Sequence, residues 1–103
     1  MKKLMIAVCM FFTSIASNVY ADGHGNIKMG IILGFTGPIE SLTPDMASGA
    51  ELAFKEASDS GKFMNGSTIK TIRADSTCID SAAATSAAEY LVSQGVTAIM
   101  GAD

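Results

Sequence analysis

Residues 27–34 read IKMGIILG, and the triplet TPD follows at residues 43–45; together these two segments indicate the fold class. The first segment is apolar, rich in branched residues and too short for a typical helix, so it predicts a central β-strand covered on both faces. Gly37-Pro38 then breaks the regular structure. The triplet supplies an N-cap, a proline at the first helical position and an acid in the first turn, so a helix is predicted to begin at Thr43.

The predicted first helix carries a stripe of mostly small apolar residues on one face. Such a face allows the helix to lie close to a sheet. Glu51 and Lys55 lie four residues apart and are expected to pair on the solvent side. Gly61 is placed to end the helix at its C′ position. The residues of the apolar face are Ala47, Ala50, Phe54 and Ala57.

Two more strands are predicted further along the chain. After a turn at Asn65-Gly66, residues 68–74 combine β-branched side chains with alternating polarity, which is typical of a half-exposed edge strand. Residues 96–100 (VTAIM) form the third strand. Between them, Asp80 or Ser81 can cap a second helix over residues 82–94. Its inner stripe is Ala84, Ala87, Ala88 and Leu91, and Gly95 follows to end it.

The element order is β-α-β-α-β, and both helices are long enough for right-handed crossovers. We therefore predict a three-layer α/β fold with a parallel sheet in the strand order 2-1-3. Ligands of open parallel sheets bind outside the carboxyl ends of the strands, where the strand order reverses. The loop at residues 35–43 and the residues at or after Asp103 are therefore expected to line a binding site.

The N-terminus reads as a secretory signal peptide, residues 1–21. Lys2 and Lys3 precede the apolar run at residues 4–12, and Val19-Tyr20-Ala21 suits a cleavage site. The run is shorter than the roughly 20 residues that cross a bilayer, which argues against an uncleaved anchor. Residues 22–26 are expected to be a flexible mature N-terminus in the periplasm. Cleavage would leave five basic and ten acidic residues, a net charge of −5, so nucleic acid is not an expected partner.

Cys78 would be the one cysteine of the mature chain, because Cys9 lies inside the signal. An unpaired thiol is unusual in an oxidising compartment. Two interpretations follow: Cys78 is a buried free cysteine, or it has a disulfide partner beyond residue 103. The second is favoured.

Catalytic and cofactor motifs are weak. Gly34 and Gly37 lack the full G-x-G-x-x-G spacing, although Asp75 stands where a ribose-binding acid would be expected. Asp22-Gly23-His24 could wrap Cu(II) or Ni(II) if cleavage follows Ala21, yet ordinary linker composition explains these residues. We predict no catalytic residue, no cofactor and no metal site.

The segments IKMGI (27–31), TGPI (36–39), GAELA (49–53), DSTC (75–78) and VTAIMG (96–101) resemble, in their order and spacing, the N-terminal part of periplasmic solute-binding proteins of the leucine/isoleucine/valine-binding type. The resemblance implies a two-lobed, non-enzymatic receptor that closes on an amino acid or amide and passes it to the permease of an ABC importer. On this basis residues 27–103 are part of the first lobe.

The resemblance also implies site residues. A first-loop ligand contact would fall near Leu42, where the family often has an aromatic residue, with Phe35, Ser41 and Thr43 as neighbours by position. It further implies a disulfide from Cys78 to a cysteine just after the third strand. Two other interpretations stay open: a short secreted α/β interaction protein, and the N-terminal part of a secreted α/β enzyme.

Overall fold

A computed structural model describes residues 25–101, in which three strands alternate with two α-helices. The predicted signal segment, residues 22–24 and Asp103 lie outside the described residues. A short 3-10 turn at Phe63–Gly66 precedes the second strand. The elements are β1 (Asn26–Leu33), α1 (Thr43–Asp59), β2 (Thr68–Asp75), α2 (Ser81–Ser93) and β3 (Ala98–Gly101).

The strands form a parallel sheet in the order β2-β1-β3, as predicted. β1 pairs with β2 along all eight residues of each strand. Its pairing with β3 is shorter and joins Met29–Ile32 to the four residues of β3. Asn26 already pairs with Thr68, so β1 begins one residue earlier than predicted.

The core lies on both faces of β1, because successive residues of a strand point in opposite directions. On one face Ile31 and Leu33 pack against Ala47 of α1. On the other face Ile32 packs against α2, including its fully buried Leu91. The two helices therefore cover opposite faces, which confirms the three-layer α/β arrangement. Among the described residues no helix is long and apolar enough to cross a membrane.

The start of α1 differs from the prediction. Leu42, not Thr43, is the N-cap, and it makes no side-chain capping bond. Thr43 is fully buried, and its hydroxyl donates to the carbonyl oxygen of Gly34 at 2.9 Å. The hydroxyl thus turns inward to the end of β1 instead of to the amides of the helix.

The predicted ion pair on α1 is also wrong. Glu51 accepts hydrogen bonds from Arg73 of β2, since the guanidinium offers it two N–H donors at 2.7 and 2.8 Å. Lys55 instead pairs with Asp59 one turn further on. The strand beside α1 therefore decides this pairing, which the helix alone could not reveal.

The second helix follows the prediction closely. The carboxylate of Asp80 accepts hydrogen bonds from the backbone N–H of Ala82 at 2.8 Å and of Ala83 at 3.3 Å. Ala87 and Leu91 are buried against the sheet. Gly95 follows the helix in the left-handed conformation, with φ +75°.

Candidate ligand-binding edge

The carboxyl ends of the three parallel strands meet at one edge of the sheet. Two loops leave this edge: the first loop, residues 34–42, follows β1, and the second loop, residues 76–80, follows β2. β3 ends at Gly101 on the other side of β1. We call the two loops and Gly101 the binding edge. The strand order reverses at β1, so the first loop lies where open parallel sheets bind ligands.

The first loop is closed by its own hydrogen bonds. The backbone N–H of Leu42 donates to the carbonyl of Ile39 at 2.9 Å, which folds the second half of the loop into a turn. The Thr43 hydroxyl, buried at the base, reaches back to the carbonyl of Gly34. These contacts join the end of the loop to its beginning and leave its last residues facing solvent.

The carboxylate of Asp75, the last residue of β2, binds both loops. One oxygen accepts from the backbone N–H of Thr36 at 3.2 Å and of Thr77 at 2.9 Å, and the other accepts from the Thr36 hydroxyl at 2.6 Å. The Thr36 hydroxyl, followed by these amides, holds the pKa of the Asp75 carboxyl below its ordinary value, although burial acts in the opposite direction. Asp75 therefore joins the loops as an ionised carboxylate.

Two glycines allow the loops to touch. A Cβ at Gly37 would lie 2.6 Å from the carbonyl oxygen of Thr77, and Gly37 has φ +100°. A Cβ at Gly34 would lie 2.9 Å from the Cβ of Cys78. Thr77 and Cys78 are themselves in the left-handed region, with φ 60° and 66°, which costs about 1–3 kcal/mol each for residues with a side chain. Contact with the first loop and Asp75 stabilises this strained turn.

Arg73 supports the first loop from the side of α1. Its guanidinium carbon lies 5.4 Å from the centre of the Phe35 ring, within the range of a cation–π contact. The same group donates to Glu51, and this hydrogen bond lowers the pKa of the Glu51 carboxyl. Phe35 also packs against the core cluster under α1. Its ring is therefore fixed between the core and Arg73.

The predicted ligand-binding residues occupy different positions. Ser41 and Leu42 are exposed on the first loop, Leu42 with 60% of its surface accessible. Phe35 is half-buried, and Thr43 is completely buried with its hydroxyl bound to Gly34. Of the predicted residues that the structure describes, Ser41 and Leu42 thus face solvent, while Thr43 shapes the base of the loop. Contact of any of them with a ligand stays a prediction.

Cys78 is a half-buried thiol on the second loop and forms no disulfide within residues 25–101. It lines a shallow pocket of about 320 Å³ between the second loop and the first turn of α2, together with Asp80 and Ile79. The pocket adjoins the β2 side of the edge. No group of three metal-ligating side chains comes together in the described part of the chain.

Sequence patterns did not reveal Thr36 and Arg73 as parts of this edge. Thr36 follows the last residue of β1 by three positions, and Asp75, the last residue of β2, comes 39 residues after Thr36 in the chain. The register of the two strands brings Leu33 opposite Asp75 and so places Thr36 near its carboxylate. A polar residue at the end of one strand and another just after the adjacent parallel strand are the signal that could have indicated the pair. Asp75 drew attention only as a candidate ribose-binding acid, and its oxygens are engaged by Thr36 and Thr77.

In a parallel α/β lobe, a loop at the point where the strand order reverses lies where open α/β sheets bind their ligands. Residues 26–103 match the sequence model of a family described as periplasmic binding protein. The match covers most of the chain, and the protein therefore belongs to this family, whose members are binding proteins. Comparison with curated proteins finds no match. Family membership supports a solute-binding role and a periplasmic location.

Proposed function

We propose that this protein is the solute receptor of an ABC importer that takes up a branched-chain amino acid or a related small amide. The position of the first loop and the hydrogen bonds that order it are the main support for this proposal. The loop lies where the strand order reverses, it is closed by the Leu42–Ile39 and Thr43–Gly34 hydrogen bonds, and Asp75 holds its start. A loop that is ordered in advance loses little conformational entropy when a ligand binds.

The exposed residues of the first loop suit an aliphatic ligand with polar ends. Leu42 offers an apolar surface, and Ser41 next to it offers a hydroxyl that can donate or accept a hydrogen bond. In this proposal Asp103 and the segments after it complete the cleft and bind the charged groups of the amino acid. A second lobe then closes on the ligand, and the closed receptor docks on the inner-membrane permease.

The proposal also assigns a structural role to Cys78. A disulfide to a cysteine after β3 would tie the strained second loop to the β3 side of the binding edge. Intact mass measured with and without a reducing agent, after alkylation of free thiols, tests this point. An alkylated Cys78 in the unreduced periplasmic protein would contradict it.

The test of the solute-binding role uses the native protein from a periplasmic extract. Intact mass reports whether residues 1–21 have been removed and how far the chain extends. Isothermal titration calorimetry then measures binding of L-leucine, L-isoleucine, L-valine and short aliphatic amides, with L-aspartate as the control ligand. Binding of one aliphatic ligand with no response to L-aspartate is expected. A product of residues 22–103 that binds none of them would refute the transport function and favour a short interaction protein.

A pair of matched variants tests the first loop itself. Leu42→Ala removes an exposed leucine from the proposed ligand surface, and Leu52→Ala removes a similarly exposed leucine, 58% accessible, from the outer side of α1. Leu42→Ala is expected to weaken L-leucine binding by about tenfold, since burying a leucine side chain contributes about 1.5–3 kcal/mol. Leu52→Ala should leave the affinity unchanged. Equal affinities of Leu42→Ala and Leu52→Ala would show that Leu42 does not contribute to the ligand-binding surface.

A further inference from the structure

We propose that Asp75 is the positioning residue of the binding edge, whose ionised carboxylate holds the first loop in the shape that receives the solute. The effect on the loop stands on the observed contacts alone. The effect on affinity rests on the solute-binding function proposed above. Asp75 itself need not touch the ligand, because it acts through Thr36.

The position of Asp75 makes it a firm anchor. It ends the longer of the two strand pairings, directly opposite Leu33 of β1. The ladder continues one step further, since the backbone N–H of Ser76 donates to the carbonyl of Leu33 at 3.0 Å. The carboxylate is therefore attached to the best-paired part of the sheet, and Thr36, which it holds, begins the exposed part of the first loop.

The contacts require an acceptor, and the ionised carboxylate is the form that offers acceptors on both oxygens. Three donors converge on it: the Thr36 hydroxyl and the backbone N–H groups of Thr36 and Thr77. A protonated or amidated side chain replaces one acceptor by a donor. Hydrogen bonds to a charged acceptor are also roughly twice as strong as neutral ones. Loss of the charge therefore weakens the hold on both loops together.

Among residues 25–101, the other charged groups around Asp75 bind each other, cap a helix or are exposed to solvent. Arg73 on β2 and Glu51 on α1 bind each other. Asp80 caps α2 through its carboxylate, and Glu40 is exposed on the first loop. A pH-dependent change at the Thr36 and Thr77 amides therefore reports the Asp75 carboxyl, and variants that remove one carboxylate at a time check this assignment.

The first experiment is an NMR pH titration of the full chain. The amide protons of Thr36 and Thr77 are expected to shift together with one midpoint that lies below the ordinary pKa of an aspartate, because the hydrogen bonds from Thr36 and Thr77 favour the ionised carboxylate. Asp75→Asn should abolish this titration at both amides. Asp59→Asn, which removes an exposed carboxylate on α1 that pairs with Lys55, should leave it intact. Persistence of the shared titration in the Asp75→Asn protein would overturn the proposal.

The second experiment measures amide hydrogen exchange of the first loop at neutral pH. Asp75→Asn is expected to speed exchange at residues 36–42 by about tenfold, the effect of losing one charge-assisted hydrogen bond. Thr36→Val keeps the branched shape and removes only the hydroxyl, so it should also speed exchange of the first loop. It provides an independent test if Asp75→Asn does not fold properly. The double variant should exchange little faster than Asp75→Asn alone, because both substitutions break the hydrogen bond between the Thr36 hydroxyl and Asp75. Unchanged exchange in Thr36→Val would contradict the positioning role.

Affinity separates this inference from the proposed function. If the wild-type protein binds L-leucine, Asp75→Asn should weaken binding by about tenfold at neutral pH, the same factor by which it speeds exchange of the first loop. Asp59→Asn should not change the affinity. If the wild-type protein binds no amino acid or amide but the loop responds to Asp75, the solute-binding proposal fails and the positioning inference stands. Leucine binding that is the same in wild type and Asp75→Asn overturns the inference for affinity and leaves the receptor function in place.

Discussion

β2 and β3 flank the same central strand, yet different contacts hold them. β2 pairs with β1 over eight residues, and its last residue, Asp75, binds both loops of the binding edge. β3 pairs over four residues, and Ile99 remains 41% exposed. The end of β3 depends on the close approach of the Gly101 backbone to the carbonyl oxygen of Ile32. The comparison shows that polar side chains fix the β2 side of the candidate site, whereas the β3 side, as far as the structure describes it, depends on Gly101, where no side chain fits.

The largest expected effect comes from breaking the β3 side with Gly101→Ala. Gly101 has φ +127°, and a Cβ there would lie 1.9 Å from the carbonyl oxygen of Ile32. The strand must move away, so the free energy of unfolding should fall by about 3 kcal/mol or more. Urea denaturation measures this change.

Gly49→Ala is the control for that substitution. Gly49 lies inside α1, and a Cβ there meets nothing within 4 Å. Alanine in a helix interior is favoured over glycine by about 1 kcal/mol, so this variant should be slightly more stable than wild type. A Gly101→Ala protein as stable as wild type would show that β3 does not approach Ile32 as described, and the contrast between the two sides would disappear.

A smaller effect is expected at the base of the first loop, from Thr43→Val. The substitution keeps the shape of a completely buried side chain and removes its hydrogen bond to Gly34. The free energy of unfolding should fall by about 1 kcal/mol. Thr85→Val, at an exposed position of α2 where the hydroxyl bonds to its own helix, should change it far less. Equal effects would mean that the Thr43 hydroxyl does not tie the end of the first loop to its beginning at Gly34.

The smallest effect is expected from Glu51→Gln, which breaks the ion pair with Arg73 beside the first loop. Both side chains are about one third exposed, so the pair contributes about 0.5 kcal/mol at neutral pH. The folded-state pKa of Glu51 is lowered, so this contribution is complete above the ordinary carboxyl pKa and disappears as the pH falls through the lowered value. Unfolding free energies of both proteins across this range measure it.

Glu56→Gln, an exposed glutamate on the same helix, is the control for the ion pair. It removes the same charge without removing a bond to Arg73. A difference between wild type and Glu51→Gln that persists in strong acid would show that Arg73 does not act through the ionised carboxylate.

Much of the fold could be predicted because the deciding signals are local. The apolar run at residues 27–34, the proline at residue 44 and the alanine stripes of both helices each depend on spacing along a few turns or residues. The resulting β-α-β-α-β order, with a helix on each face of the sheet, then favours the observed strand order β2-β1-β3. The location of the candidate site at the end of β1 follows from this topology.

The details of the candidate site were less predictable because they join residues that are distant in sequence. Thr43 looked like a helix cap, yet the end of β1 captures its hydroxyl. Glu51 looked like a partner of Lys55, yet Arg73 of the adjacent strand offers it two donors. Each local prediction was chemically possible, but the side chain instead bonds to a partner from another part of the fold, Gly34 for Thr43 and Arg73 for Glu51.

Hydrophobic spacing and capping residues act over short distances, so the sequence predicts the strands, the helices, their order and the end of the sheet at which a ligand would bind. The hold of Asp75 on Thr36, the packing of Phe35 under Arg73, and the positions of Gly37 and Gly101 against backbone carbonyls are visible only in the folded chain. These contacts depend on strand register and on the packing of α1 against β2. Parallel pairing brings together loops about forty residues apart, and no local pattern encodes that meeting.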